Sequence, residues 1–342
     1  MSRPLPQVPR ARQLGVLAIG ISVAVILAGC SSGSLTGSDA DGRGTAPTPA
    51  PQGVVTTTFA NSVLSTYVKA NNAANKTRDA KLLSTVEAGQ LNRQSVADYQ
   101  QWKTWPEKDQ KEYGSAFSYA NRTWFLPAKG TATWFAVTAT STYGTKNSTL
   151  LIFDKIGGTY KMVASLWATD GTPTPEIATD RHGLAKAVDP SDPVGALAPN
   201  ELGAAFADLY ETGGKNDGSK LASTKITKAA VASYTDRDKG DNSAYATKKY
   251  FAAVPARKTV YALRLADGGV LAVFPTALTS EFMLRPPYMS NHKINPSEKE
   301  SVYDGTSRVL VTNEYQGQAY ATLTPSGSPR VLGYESRLVD SR

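Results

Sequence analysis

The sequence predicts an α+β protein of two similar halves, each with N-terminal helices followed by an antiparallel sheet, behind an apolar leader and a polar tether. Three observations carry this. Apolar residues recur at helical spacing at the start of each half, as Phe59, Val63, Tyr67, Ala70 and as Leu202, Ala205, Phe206, Leu209, Tyr210. Both halves then change to extended runs rich in Val, Thr, Tyr and Phe. Short strings also recur: Lys81-Leu82-Leu83-Ser84-Thr85 against Lys220-Leu221-Ala222-Ser223-Thr224, and Val96-Ala97-Asp98-Tyr99 against Val231-Ala232-Ser233-Tyr234. Chance similarity of Ala/Ser/Thr strings is the alternative to a duplication.

In chain order, the first half (residues 53–168) opens with a helix behind Thr58 or Asn61 as cap. Its strands are expected at Trp124–Pro127, Thr133–Thr140, Ser148–Asp154 and Tyr160–Trp167, with Gly157-Gly158 as a hairpin turn. Residues 169–198 carry Pro173, Pro175, Pro190 and Pro193, and five acids against Arg181 and Lys186. Proline breaks regular ladders, so this reads as an acidic linker in which His182–Val188 could form a short helix or edge strand. The second half (residues 199–342) begins at Asn200. Its strands are expected at Tyr250–Pro255, Thr259–Leu265, Gly269–Pro275 and Arg330–Val339, in the same order as those of the first half. Thr276–Thr306 stands out as an insertion that is either a binding lip or an apolar plug.

The chain has 342 residues, with 37 Lys+Arg, 29 Asp+Glu, 2 His and 1 Cys. One Cys excludes a disulfide scaffold or a Cys-based zinc site, and two His make a His-rich metal centre unlike this chain. Arg3, Arg10 and Arg12 precede the uncharged run Leu14–Ile26, followed by Leu27-Ala28-Gly29-Cys30 and a polar stretch. That order is a secretory signal, and Leu-Ala-Gly-Cys resembles the lipobox of bacterial lipoproteins. The resemblance implies a signal peptide over residues 1–29 and lipidation of Cys30 by a diacylglyceryl group and an N-acyl chain such as palmitate. An uncleaved transmembrane helix is the competitor, but the 13-residue run is short for a ~30 Å core. Residues 30–52 are then a Ser/Thr/Ala/Pro tether. The expected place is the extracytoplasmic face of the cell membrane. Without residues 1–29 the chain keeps 34 basic and 29 acidic residues and no Lys/Arg run, which argues against nucleic acid.

Helices leading into a curved antiparallel sheet, twice, resemble the NTF2-like (cystatin-like) cone, and the tether and lipobox resemble actinomycete lipoproteins of uncharacterised function built from two such domains. The resemblance covers residues 55–167 and 199–342 in pattern. It implies a sheet wrapped around a helix with a pocket at its open end, and it carries no functional residue over.

No nucleophile elbow, zincin motif, P-loop or dinucleotide fingerprint is present. His182 and His292 read as solvated loop residues. By analogy with cone isomerases and dehydratases, Asp98 beside Tyr99 is the acid/base bet, against a solvated or capping role for Asp98. Asp236 and Asp238 resemble a loose Ca2+ loop but lack its full spacing. Trp102 and Trp105 could stack on a ligand or pack inward, and Lys103, Lys108 and Lys111 could meet an anionic envelope polymer. The expectation is a non-catalytic protein without cofactor or metal, binding a small amphipathic ligand or scaffolding an envelope protein, and tethered to the membrane through Cys30. A cone enzyme and a transporter-associated solute-binding lipoprotein are the rivals.

Overall fold

The computed structural model describes residues 50–142, 148–169, 171–240 and 242–342. The leader, Cys30 and the tether up to residue 49 lie outside the described residues.

The first half contains α1 (Thr57–Thr77), α2 (Ala80–Val86), α3 (Gly89–Gln101) and α4 (Glu107–Tyr113), then β1 (Tyr119–Phe125), β2 (Trp134–Ser141), β3 (Ser148–Ile156) and β4 (Thr159–Leu166). The strands form an antiparallel meander in the order β1-β2-β3-β4. Gly157 and Gly158, at φ 60° and 86°, make the two-residue turn between β3 and β4. Positive φ at both central positions matches the right-handed strand twist, and glycine adopts it without a Cβ clash. Helix α1 starts earlier than its apolar spacing suggests, because the Thr56 hydroxyl accepts from Phe59 N at 3.2 Å and caps it.

The second half contains α5 (Leu202–Glu211), α6 (Lys225–Thr235), β5 (Ala246–Ala252), β6 (Tyr261–Arg264), β7 (Val270–Leu284), α7 (Pro286–Met289), α8 (Glu298–Ser301), β8 (Leu310–Leu323) and β9 (Arg330–Ser341). Its sheet runs β5-β7-β8-β9, and β6 shares the β7 edge with β5. By sheet position β7 therefore corresponds to β2, and β6 is an extra strand; the strand-by-strand match expected from sequence shifts by one. The expected insertion also begins later, since residues 276–284 continue β7. Pro275 stands within this long strand because it falls between the stretch paired with β6 (Val270–Val273) and the stretch paired with β5 (Leu278–Leu284). At that point no edge strand requires its missing N–H. The recurring strings also part company. Lys81–Thr85 lies in α2, whereas Leu221–Ser223 is irregular chain and Thr224 caps α6.

Alternation along the strands builds four layers. On β2 and β3, Phe135, Val137, Leu151 and Phe153 face Ala60, Leu64 and Tyr67 of α1. The intervening Trp134, Ala136, Leu150 and Ile152 face Leu263, Leu271, Val273 and Tyr320 of the second sheet. The other side of that sheet, with Val270, Ala272, Phe274, Ala319 and Ala321, packs on Phe206, Leu209 and Tyr210 of α5. Helices, sheet, sheet and helices thus stack with the central strands buried on both faces, which is why β3 reads as a nearly unbroken apolar run, while the edge strands β1 and β5 stay largely exposed.

Residues 169–198 are sewn between the halves. Ala185 N donates to Leu126 O at 3.0 Å, Val188 N to Ala262 O at 3.0 Å and Arg264 N to Lys186 O at 2.9 Å. Ile177 and Ala185 join the core between the sheets. A buried ion pair adds to it: Asp154 of β3 holds Arg257 and accepts from Tyr261 Oη at 3.0 Å.

Candidate functional site

A cavity of about 210 Å³ opens between α1, α3, the ends of β2, β3 and β4 and the middle of β8 and β9. Helix α1 contributes Tyr67, Asn71 and Asn75, four residues apart and therefore on one face. The chain then folds back sharply between α2 and α3. Glu87 caps the end of α2, and Gly89 takes φ 64°. A Cβ at Gly89 would also sit 3.1 Å from Arg257 of the other half, so both conformation and space select glycine there. The reversal points Glu87 inward, where Ala88 N is fixed to Met162 O of β4 at 3.1 Å. Helix α3 supplies Leu91, Gln94, Ser95 and Asp98, and β8 and β9 supply Gln318, Glu335 and Arg337.

Glu87 is 2% exposed. Its Oε1 accepts from Tyr67 Oη at 3.0 Å and from Asn71 Nδ2 at 3.0 Å. Asn75 Nδ2 donates to Asn71 Oδ1 at 2.8 Å, and Tyr99 Oη donates to Asn75 Oδ1 at 2.6 Å. The donors thus run in one direction toward a single carboxyl oxygen. The other oxygen, Oε2, is buried with no partner in hydrogen-bond geometry, although the Ser95 hydroxyl is near enough to favour the charged form. Burial dominates and raises the carboxyl pKa from 4.5 to about 8, against the lowering effect of Ser95, Tyr67 and Asn71; the Asp98 charge adds to the rise. Burial likewise pushes the Tyr67 hydroxyl well up. Near neutral pH the free protein holds Glu87 protonated, as a group able to donate as well as accept.

Asp98 is neither solvated nor a cap. It is 7% exposed and accepts from Arg337 Nε at 3.0 Å. Arg337 Nη1 also bonds Glu335 at 3.0 Å, and the Asp98 charge is the largest influence raising the guanidinium pKa. The expected pairing of Asp98 with Tyr99 is not formed: successive helix residues point apart, and the Tyr99 hydroxyl goes to Asn75. Gln94 bonds the carbonyls of Gln316 and Glu335 at 3.2 and 3.1 Å and accepts from Gln318 at 2.8 Å. The second half therefore forms one wall of the cavity.

The remaining candidates lie elsewhere. His182 and His292 are exposed. Asp236 pairs with Lys239 at 2.9 Å and Asp238 with Arg237 at 3.4 Å in an exposed turn, and no metal-holding group of acids, His and Cys occurs among the described residues. Trp102 and Trp105 are half-buried and meet Tyr113 of α4 edge to face, with ring centroids 5.8 and 5.3 Å apart. Lys103, Lys108 and Lys111 are exposed around them. Trp167 lines the cavity. Glu87 was not singled out from sequence. Its signal was an acid at the C-terminal end of a helix, where the dipole disfavours it, together with Asn71 and Asn75 on the apolar face of α1.

A family model described as a domain of unknown function, DUF8094, matches residues 51–342. The chain is also 31% identical over 341 aligned residues to an uncharacterised lipoprotein of Streptomyces coelicolor, covering 95% of this chain and 93% of that protein. No solved structure matches the chain. Among the described residues, no helix is long and apolar enough to cross a membrane.

Proposed function

The chain belongs to the DUF8094 family, and we propose that it is a lipid-anchored envelope protein that binds a small ligand in the cavity around Glu87 without converting it. The observation that carries this reading is a buried carboxyl with one oxygen fully engaged and the other unpartnered in a cavity large enough for a small molecule. A buried polar atom without a partner costs about 1–3 kcal/mol, and a ligand that satisfies it recovers that cost. The cavity is mostly preformed, because its walls are helices and strands tied by side-chain hydrogen bonds rather than loops. Each half is read as an NTF2-like cone, supported by the helix-then-meander order and the matching sheet orders β1-β2-β3-β4 and β5-β7-β8-β9. The lipoprotein relative supports anchoring through Cys30 on the extracytoplasmic face, with the signal peptide removed.

Native mass spectrometry of the protein extracted from membranes in mild detergent tests the binding reading. A retained small molecule, lost from a Ser95→Phe variant that fills the cavity, is expected; an empty cavity in both sinks it. Cys30→Ala is expected to release the protein from the membrane or leave an uncleaved precursor.

A second reading has one observation in its favour. A carboxyl titrating near 8 beside a tyrosine hydroxyl is suited to general acid–base work. In that case Glu87 and Tyr67, rather than Asp98 and Tyr99, act on the ligand, and incubation of the retained molecule with the protein yields a product.

A further inference from the structure

Resting on the binding reading, we propose that the ligand is a small organic amine in its protonated, ammonium form, with Glu87 as its counter-charge. Among the described residues the cavity is lined by four carboxyl groups, Glu87, Asp98, Glu112 and Glu335, against a single basic side chain, Arg337. That arginine is already neutralised by Asp98 and Glu335, each at 3.0 Å. Among the described lining residues an anionic ligand would have to compete with Asp98 and Glu335 for Arg337, whereas a cation can pair with Glu87 without breaking an ion pair.

The buried Glu87 supplies the independent sign that something belongs there. Its Oε2 has no partner, and its Oε1 already holds two donors. An N–H donor from a cation satisfies Oε2 and stabilises the ionised carboxylate at the same time. Aromatic rings complete the lining, with Tyr67, Tyr113, Phe117, Tyr119 and Trp167 around the carboxyl. Ring faces attract a cation through their quadrupole, the more so when water is excluded. A neutral polyol satisfies the hydrogen bonds but offers no counter-charge to an ionised Glu87. Burial keeps Glu87 protonated in the free protein near neutral pH, so arrival of a cation displaces that proton to solvent. The ammonium keeps its own protons, and the carboxylate formed pairs with it, so charge and protons balance.

The full-length chain in detergent is titrated calorimetrically with benzylamine and putrescine, and with the uncharged benzyl alcohol and inositol and the anion benzoate. The expected result is binding of at least one cation, with benzyl alcohol and benzoate at least tenfold weaker than benzylamine. Glu87→Gln, which keeps the shape and loses the charge, is expected to weaken cation binding tenfold or more. Titration of the unaltered chain at pH 7 in two buffers of different ionisation enthalpy is expected to report close to one proton released per cation bound, a readout that does not depend on the variant folding. Binding of only neutral or anionic probes, cation binding unchanged in Glu87→Gln, or no proton release overturns the cation assignment while leaving a ligand cavity. No binding of any probe, with no molecule retained in native mass spectrometry, overturns both.

Discussion

Helices α3 and α6 carry nearly the same string, Val96-Ala97-Asp98-Tyr99 and Val231-Ala232-Ser233-Tyr234, in opposite surroundings. Helix α3 lies between the two sheets' ends. Its Gln90, Gln94, Asp98 and Gln101 all reach the second half, to the carbonyls of Arg257, Gln316 and Leu338 and to the Arg337 guanidinium. Helix α6 packs on one side only. Ser233 bonds its hydroxyl to Ala229 O of its own helix, and Tyr234 lies under the Arg237 guanidinium at 3.8 Å. The helices that enter each sheet differ in the same sense. Helix α1 carries a polar ladder of Tyr67, Asn71 and Asn75, whereas α5 carries Phe206, Leu209 and Tyr210 in a dry core with Phe274 and Tyr334. One layer plan accommodates both: the first half supplies most of the polar cavity, and the second half closes it with one wall.

The largest test separates the halves. Residues 53–168 and 199–342, expressed alone, each expose the sheet face bearing Trp134, Leu150 and Ile152 or Leu263, Val273 and Tyr320. Each such side chain is worth about 1.5–3 kcal/mol when buried. Read as a duplication, the sequence predicts two halves that melt independently. The shared core predicts instead aggregated or uncooperative fragments and a single transition for the intact chain, which calorimetry decides.

Phe206→Ala hollows the dry core and is expected to destabilise by about 3–5 kcal/mol in chemical denaturation. Asp98→Ala leaves Arg337 buried with one carboxylate fewer and is expected to cost about 3 kcal/mol. The matching Ser233→Ala is expected to stay within about 0.5 kcal/mol, so equal losses at the two positions would remove the asymmetry described here.

The effect of Glu87→Gln depends on pH. The carboxyl pKa is raised on folding from 4.5 to about 8, mainly by burial. Between those values the folded state holds a proton that the unfolded state has lost, so Glu87 makes stability fall as pH rises through that window. At ~1.4 kcal/mol per pKa unit, the stability of Glu87→Gln relative to the unaltered chain is expected to rise by about 4 kcal/mol between pH 4 and pH 8. Melting temperatures of both proteins across that range check it. A relative stability that does not rise with pH would mean that Glu87 is satisfied in the ionised form.

Much of the fold was legible because its cause is local. The helical periods of α1 and α5, the extended runs of β2 to β4 and the Gly157-Gly158 turn are set by neighbours a few residues away. The extra strand β6 and the continuation of β7 past Pro275 were not, because an edge shared by two strands is a property of three segments together. The site was half legible. Asp98 stood out as an acid beside a tyrosine and does line the cavity. Its true partner, Arg337, is 239 residues away and nothing nearby in sequence announces it.

What the sequence by itself determined is the α+β class of the chain and its helix and strand periods. The tertiary structure decided which carboxyl matters. Glu87 becomes distinctive only when α1, α3 and the second sheet remove water from around it. The free energy of an ionisable group depends on the solvent and charges within a few ångströms, and those are assembled from residues far apart in the chain.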